Sequence, residues 1–307
     1  MHARMPKNFV LDQRIERAAD AIETNAAAYR GHWAEACWPL AGGGEDPGAP
    51  TRFAHVHLDL GCGKGAYIAA MAERHPDTLF IGMDSEPVCV VHAAQLALDR
   101  GLKNALVIPG DAAKLDRIFA PGELSSISIN FPTPHPKRRH AHLRVTTAEH
   151  LNGYRPLVAE GGMVVLRTDS LPLYEFSLPQ FETIGWNVVC ATHDDRAAHP
   201  DQPITEYEQR LTEQGATVHA VYAHPAPEPA TTDQLQTARD LPQSLIDYLP
   251  EDLFAQDYIP YGMSYAIDNL RNRRRHLAAR ETASTRDITP TYETASGRDI
   301  TSTSDNA

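Results

Sequence analysis

Four short stretches of the sequence carry side chains suited to gripping a nucleoside. Residues 57–66, HLDLGCGKGA, place Gly61, Gly63 and Gly65 after an apolar run and ahead of a helical pattern. Glycine there lets the backbone take positive φ values and approach a ligand closely. The letters also satisfy a G-x-G-x-x-A dinucleotide fingerprint, and a plain tight turn would look the same, so the loop alone does not choose its ligand. Asp84 closes the next apolar run, where a carboxylate can accept both hydroxyls of a ribose. Gly110-Asp111-Ala112 offers a carboxylate and a backbone amide to an adenine edge. Asn130-Phe131-Pro132 sets polar atoms beside an aromatic ring and a proline. Asp59, just ahead of the glycine loop, is placed either to meet an ammonium group or to cap the loop from inside.

A different chemistry follows at once in residues 130–140, NFPTPHPKRRH, which hold three prolines ahead of a basic run and no acidic residue. Lys137, Arg138, Arg139, His140 and Arg144 suit phosphate contact, because guanidinium forks match phosphate oxygens and lysine supplies a point charge. Pro132, Pro134 and Pro136 restrict the turn that presents them. The competing reading of such a run is a solvated face. A second basic cluster, Arg271, Arg273 to Arg275, His276 and Arg280, reads either as an accessory RNA contact or as a solvated helix end, and the latter is the expectation. Thr205-Glu206-Tyr207-Glu208 reads as a helix start, with a capping threonine and a glutamate three residues on, and is compatible with a binding role.

The elements that must position these residues alternate regularly. Apolar runs at Val56 to Leu60, 79–83, 105–109, 126–131 and 163–168 are separated by helical patterns, and a last pair, 186–192 and 217–223, encloses the helical stretch 204–215. Nearly unbroken apolar strands alternating with helices predict a doubly wound α/β fold, a mostly parallel Rossmann-like sheet with helices on both faces. Ahead of it, residues 1–50 are expected to hold one amphipathic helix, Leu11 to Tyr29, and a glycine-rich loop. The main domain spans 51–224. Residues 224–239 read as a linker to a helical C-terminal extension that ends near 280 and docks on the domain. The repeat ETASTRDIT and ETASGRDIT, within 281–307, is too polar to offset chain entropy and predicts a disordered tail.

Composition sets limits on function. A net charge of −12 excludes binding to an anionic polymer over the whole surface, so any nucleic-acid contact must be local. No apolar stretch approaches a membrane span or a signal peptide, which predicts a cytoplasmic protein without membrane contact. The four cysteines are far apart and the 15 histidines show no ligand spacing, so neither disulfides nor a metal site are expected. Oligomeric state is not legible.

Polar or acidic residues at four successive strand ends resemble a class I methyltransferase, which uses S-adenosylmethionine. VHLDLGCGKG, FIGMD, IPGDA, INFPTPHPKRRH, LRTD and ITEYEQR, in that order, resemble the bacterial tRNA (guanine-N7-)-methyltransferase family over residues 51–224. The resemblance implies methylation of guanine N7 in the variable loop of tRNA. It implies cofactor contacts at Asp59, Asp84 and Asp111, which Gly61, Gly63, Ala112 and Asn130 join from the loop and strand ends read above. It implies substrate contacts at Lys137, Asp169 and Thr205 to Glu208, with Arg138 to Arg144 along the RNA. The family's loop reads F-P-D-P-W, whereas this chain has Thr133 in place of the aspartate central to catalysis and His135 in place of the tryptophan. Thr133 and Asp169 then become the catalytic candidates. The same departures leave two other readings, a related methyltransferase acting on another RNA or a small molecule, and a non-catalytic RNA-binding paralogue.

Overall fold

Strand β1 (His55–Leu60) runs through the interior of a seven-stranded sheet whose other members are β2 (Thr78–Asp84), β3 (Ala105–Pro109), β4 (Leu124–Asn130), β5 (Val158–Thr168), β6 (Asn187–Thr192) and β7 (His219–His224). The computed structural model describes residues 10–36, 52–251 and 258–286, with side chains as far as 277. Strand order is β3-β2-β1-β4-β5-β7-β6, with β7 antiparallel to both neighbours and every other pairing parallel. The helices, in chain order, are α1 (Leu11–Ala18), α2 (Ala66–Arg74), α3 (Pro87–Asp99), α4 (Leu115–Ile118), α5 (Ala148–Tyr154), α6 (Leu171–Thr183), α7 (Asp195–Ala198), α8 (Glu206–Glu213), α9 (Thr232–Asp240) and α10 (Ser264–Arg286). Two compact units divide the chain at Ala266, and the described part of the second is the body of α10.

Side chains of β2 and β3 alternate between two cores, as the period of a strand demands. Leu79, Ile81, Met83, Leu106 and Ile108 join a cluster with Leu151, Tyr154, Tyr174 and Phe181 of α5 and α6. Phe80, Ala105 and Val107 face Ile68, Val90 and Ala94 of α2 and α3. Both faces are therefore covered at β2 and β3, which explains why these two strands read as unbroken apolar runs, and the doubly wound expectation holds.

Three stretches differ from expectation. The N-terminal helix stops at Ala18 rather than Tyr29, because the chain turns to pair with the edge of the sheet: Ile22 bridges Val107, and the Glu23 amide donates to the Val107 carbonyl at 2.9 Å. That contact satisfies a backbone group on edge strand β3 that a longer helix would leave open. Within the stretch expected as a linker lies α9, started by a reciprocal capping box between Thr231 and Gln234. Residues 281–286 continue α10, while the remainder of the tail, the 41–50 loop and Cys37 lie outside the described residues.

Close approach of α2 to α3 depends on Gly65, the N-cap of α2, which has φ 79°. A Cβ there would stand 2.7 Å from Cβ of Ala93 in α3. Gly65→Ala is expected to destabilise the fold by about 1–3 kcal/mol through overpacking and backbone strain. Urea unfolding monitored by circular dichroism should show a lower midpoint with an unchanged slope.

Candidate active site

The turn from β1 into α2 is tied to the end of β2. Gly61 and Cys62 amides donate to the Met83 carbonyl at 2.8 and 3.0 Å, and the Gly63 amide donates to Asp84 Oδ2 at 2.9 Å. Gly61 and Gly63 both have positive φ, 81° and 56°, and a Cβ on either would project into open space. The loop is thus a cradle whose backbone is open on its outer side. Asp84 also accepts from the Glu86 amide at 2.8 Å, which fixes the carboxylate at the cradle's rim. Burial raises its pKa despite those bonds. Asp111 is exposed beyond β3, where its side chain accepts from the Ala113 amide at 2.9 Å and starts the short turn containing Ala112.

Asp59 lies beneath the cradle and is 1% exposed. Its Oδ1 accepts from Ser128 Oγ at 3.1 Å and from Asn130 Nδ2 at 3.0 Å. His57 continues this buried chain, its two ring nitrogens 2.6 Å from Ser126 Oγ and 2.7 Å from Ser128 Oγ. Burial, only partly offset by the bonds from Asn130 and Ser128, pushes Asp59 up to about 7. Desolvation pulls His57 down to about 3, so that ring is neutral and supplies no charge to balance Asp59. Asn130 Oδ1 is buried without a partner, an orphaned acceptor beside Asp59. An acceptor and a carboxylate needing a cationic donor, under an open glycine cradle with the Asp84 carboxylate fixed at its rim, fit the ammonium and nucleoside ends of S-adenosylmethionine.

Beyond Asn130 the chain enters a loop with two strained residues. Phe131 and His135 have φ 51° and 47°, the only described residues other than glycine with positive values. Each costs about 1–3 kcal/mol, which the surroundings must offset. The Phe131 amide donates to the Arg167 carbonyl at 2.7 Å, and Leu245 donates to the Pro136 carbonyl at 3.0 Å. Thr133 lies between the strained residues and is exposed. His135 is half-buried, with burial and then neighbouring His140 lowering its pKa. Facing this loop, Asp169 at the end of β5 accepts from the Tyr258 hydroxyl, and Tyr207 of α8 packs edge-on to Phe131 with centroids 5.4 Å apart. Burial, then the nearby Asp169 carboxylate, raises the Tyr207 phenol to about 12.

Two expected substrate contacts are corrected. Arg144 is 1% exposed, with its guanidinium donating to the carbonyls of Pro134 (3.1 Å) and His135 (2.7 Å) and lying over the Phe176 ring. It holds the strained loop from inside and presents no charge to a phosphate. Glu208 is fully buried and pairs with Arg167 at 3.2 Å and with Arg196. Arg167 also pairs with Asp195 at 2.6 Å, and Tyr222 donates to Asp195 at 2.8 Å. Glu208 therefore belongs to an internal charge cluster under β5. Thr205 caps α8 by accepting from the Glu208 amide at 3.2 Å, as its capping reading predicted. Glu206, Arg138 and Arg139 are exposed; Lys137 lies over the Tyr265 ring at 5.0 Å, and His140 accepts from Arg139 Nε at 3.3 Å.

Comparison with known proteins agrees with this geometry. The family model described as "Putative methyltransferase" matches residues 54–221, more than half of the chain. A tRNA (guanine-N(7)-)-methyltransferase of Brevibacillus brevis is 35% identical over 202 residues, covering 65% of this chain and 88% of that one. Enzymes of the same description from Lactococcus lactis and Streptococcus agalactiae are each 30% identical, covering 69% and 72% of this chain and 93% and 99% of theirs. The chain belongs to this methyltransferase family.

In this methyltransferase, the part of the site that sequence reasoning missed comes from beyond the family-matched residues. Tyr258 and Leu245 reach the loop and Asp169 from the C-terminal extension, and no local pattern announces either contact. The loop-holding place of Arg144 is equally silent, since one basic residue in a basic run looks like the next. The charge cluster gives the clearest test of what supports the acceptor side. Glu208→Ala leaves Arg167 with Asp195 as its one carboxylate partner and Arg196 with backbone carbonyls alone, and should cost about 3–5 kcal/mol in chemical unfolding. An unchanged unfolding midpoint would show that the cluster does not hold β5 and α8 together.

Proposed function

We infer that the chain transfers the methyl group of S-adenosylmethionine to N7 of a guanosine in tRNA, the variable-loop guanosine, in the cytoplasm. The observation that carries the reading is the meeting of the 130–137 loop, Asp169 and Tyr207 at the ends of β4 and β5, beside the glycine cradle and the orphaned Asn130 acceptor. The relatives' activity supports the substrate. Among the described residues, no helix is long and apolar enough to cross a membrane.

The cofactor supplies an electrophilic methyl on a sulfonium. In this reading Asp84 accepts from the ribose hydroxyls, Asp111 and the Ala112 amide meet the adenine edge, and Asp59 with Asn130 takes the ammonium group. Guanine N7 attacks with a lone pair that carries no proton, so no general base is required and positioning supplies most of the acceleration. A carboxylate on the acceptor side orients the base through its N1 and N2 donors and stabilises the positive charge that develops on the purine. Loss of one such contact, as at Thr133, costs on the order of 3 kcal/mol, or about a hundredfold in rate. Asp169 supplies the remaining carboxylate, and Thr133 an uncharged acceptor. Lys137, Arg138, Arg139 and His140 lie on the outer side of the loop, where phosphates approach.

Transfer of labelled methyl to unmodified tRNA transcripts, mapped by N7-specific strand cleavage, should mark the variable-loop guanosine. Cofactor binding without label on tRNA would point instead to another acceptor. Asp84→Ala should weaken S-adenosylmethionine binding at least tenfold by calorimetry, and unchanged affinity would remove Asp84 from the site. Binding should also depend on pH. An ammonium group favours ionised Asp59, whose pKa in the free protein lies at about 7. Below that value binding must displace a proton, so affinity should fall by up to about tenfold per unit as the pH drops from 7 toward 6, with proton release detectable in buffers of different ionisation enthalpy.

A further inference from the structure

Residues 241–251 and 258–266 lie beyond the family-matched segment, yet they pack on the acceptor side of the site. Leu245 is fully buried and its amide holds the Pro136 carbonyl, while Tyr248 sets its ring edge-on to Phe176, the ring under Arg144. Gly262 has φ 84°, and a Cβ there would sit 3.3 Å from the Pro134 ring. Between these anchors the Tyr258 hydroxyl donates to Asp169 Oδ2.

We propose that Tyr258 is a positioning residue for methyl transfer: its phenol holds the Asp169 carboxylate oriented and ionised toward the acceptor base. The proposal rests on the reading that Asp169 lines the acceptor side. Asp169 is 9% exposed, and burial disfavours its charge. Against that stand the Tyr258 hydroxyl, the Tyr261 backbone N–H and Asp169's own amide. Tyr207 of α8 also faces it and carries Arg210 over its ring, and Tyr261 adjoins both. Burial and the Asp169 contact raise the pKa of Tyr258, so the phenol remains a donor throughout the neutral range. Each hydrogen bond to an ionised carboxylate favours the charged form, so removing the strongest donor moves the group toward neutrality. A neutral Asp169 loses the charge that stabilises a positively charged purine.

The test is Tyr258→Phe in the full chain, which keeps the ring and removes the donor. The Asp169 carboxyl carbon, assigned by loss of its signal in Asp169→Asn, is followed by carbon NMR through a pH titration. Its pKa should rise by about one unit in Tyr258→Phe, while S-adenosylmethionine affinity by calorimetry stays unchanged. The acid limb of kcat/KM for tRNA methylation should move up by the same amount. An Asp169 titration identical in both proteins, or an acid limb that does not follow it, would overturn the proposal, because a purely structural tyrosine would move neither. The titration needs no substrate, so failure of the unaltered chain to methylate tRNA would count against the proposed function and against the acceptor assignment, and not against the Tyr258–Asp169 pair.

Discussion

Everything at this site depends on the reversal of strand order at β1. The chain lays β2 and β3 to one side of β1, then crosses to place β4 and β5 on the other. Loops leaving β1 and β4 therefore diverge, and a crevice opens between them at the carboxyl ends of the strands. The glycine cradle lies on one wall, and the strained proline loop on the other. Asp59 on β1 and Asn130 on β4 touch across the floor. A parallel sheet wound in one direction only would bring the same residues to its edge in succession, with no shared floor.

The acceptor wall is costly to build, and the cost is met from three directions. Left-handed backbone at Phe131 and His135 would relax if the loop were free. Arg144 takes the carbonyls of Pro134 and His135 from inside, Arg167 takes the Phe131 amide through its own carbonyl, and the extension takes the carbonyl of Pro136. Arg167 is itself held by Asp195 and Glu208, so the loop is coupled to a charge cluster on the far side of β5. Rigidity of this kind suits a reaction that relies on positioning, since a loop already fixed loses little entropy when a substrate docks.

Much of this was legible in the sequence where the signal is local. Apolar runs marked strands such as β2 and β3, because burial on both faces leaves those two almost no polar side. Thr205 with Glu208 marked the start of α8, because capping depends on neighbours three residues apart. The same signal at Thr231 and Gln234 starts α9, which the linker reading missed because of a proline-rich approach and a helix with Ala238 as its one buried residue. What could not be read depends on distant partners. Arg144 faces carbonyls up to ten positions away across a turn with no glycine to announce its shape, and Tyr258 meets Asp169 across 89 positions. Glu208 looked like a binding residue because a buried acid and an exposed one are spelled alike; Arg167 and Asp195, which bury it, come from other strands and turns.

The placement of Arg144 also bears on how such a basic run tolerates change over time. Its neighbours Arg138 and Arg139 are exposed, and lysine there would keep their charge. Arg144 acts through the shape of a planar fork that reaches two carbonyls and stacks on Phe176. Within one stretch of like residues, drift by charge is open at some positions and closed at another. Relatives aligned on basic character alone would count these positions as equivalent, and would miss the one on which the loop's conformation rests.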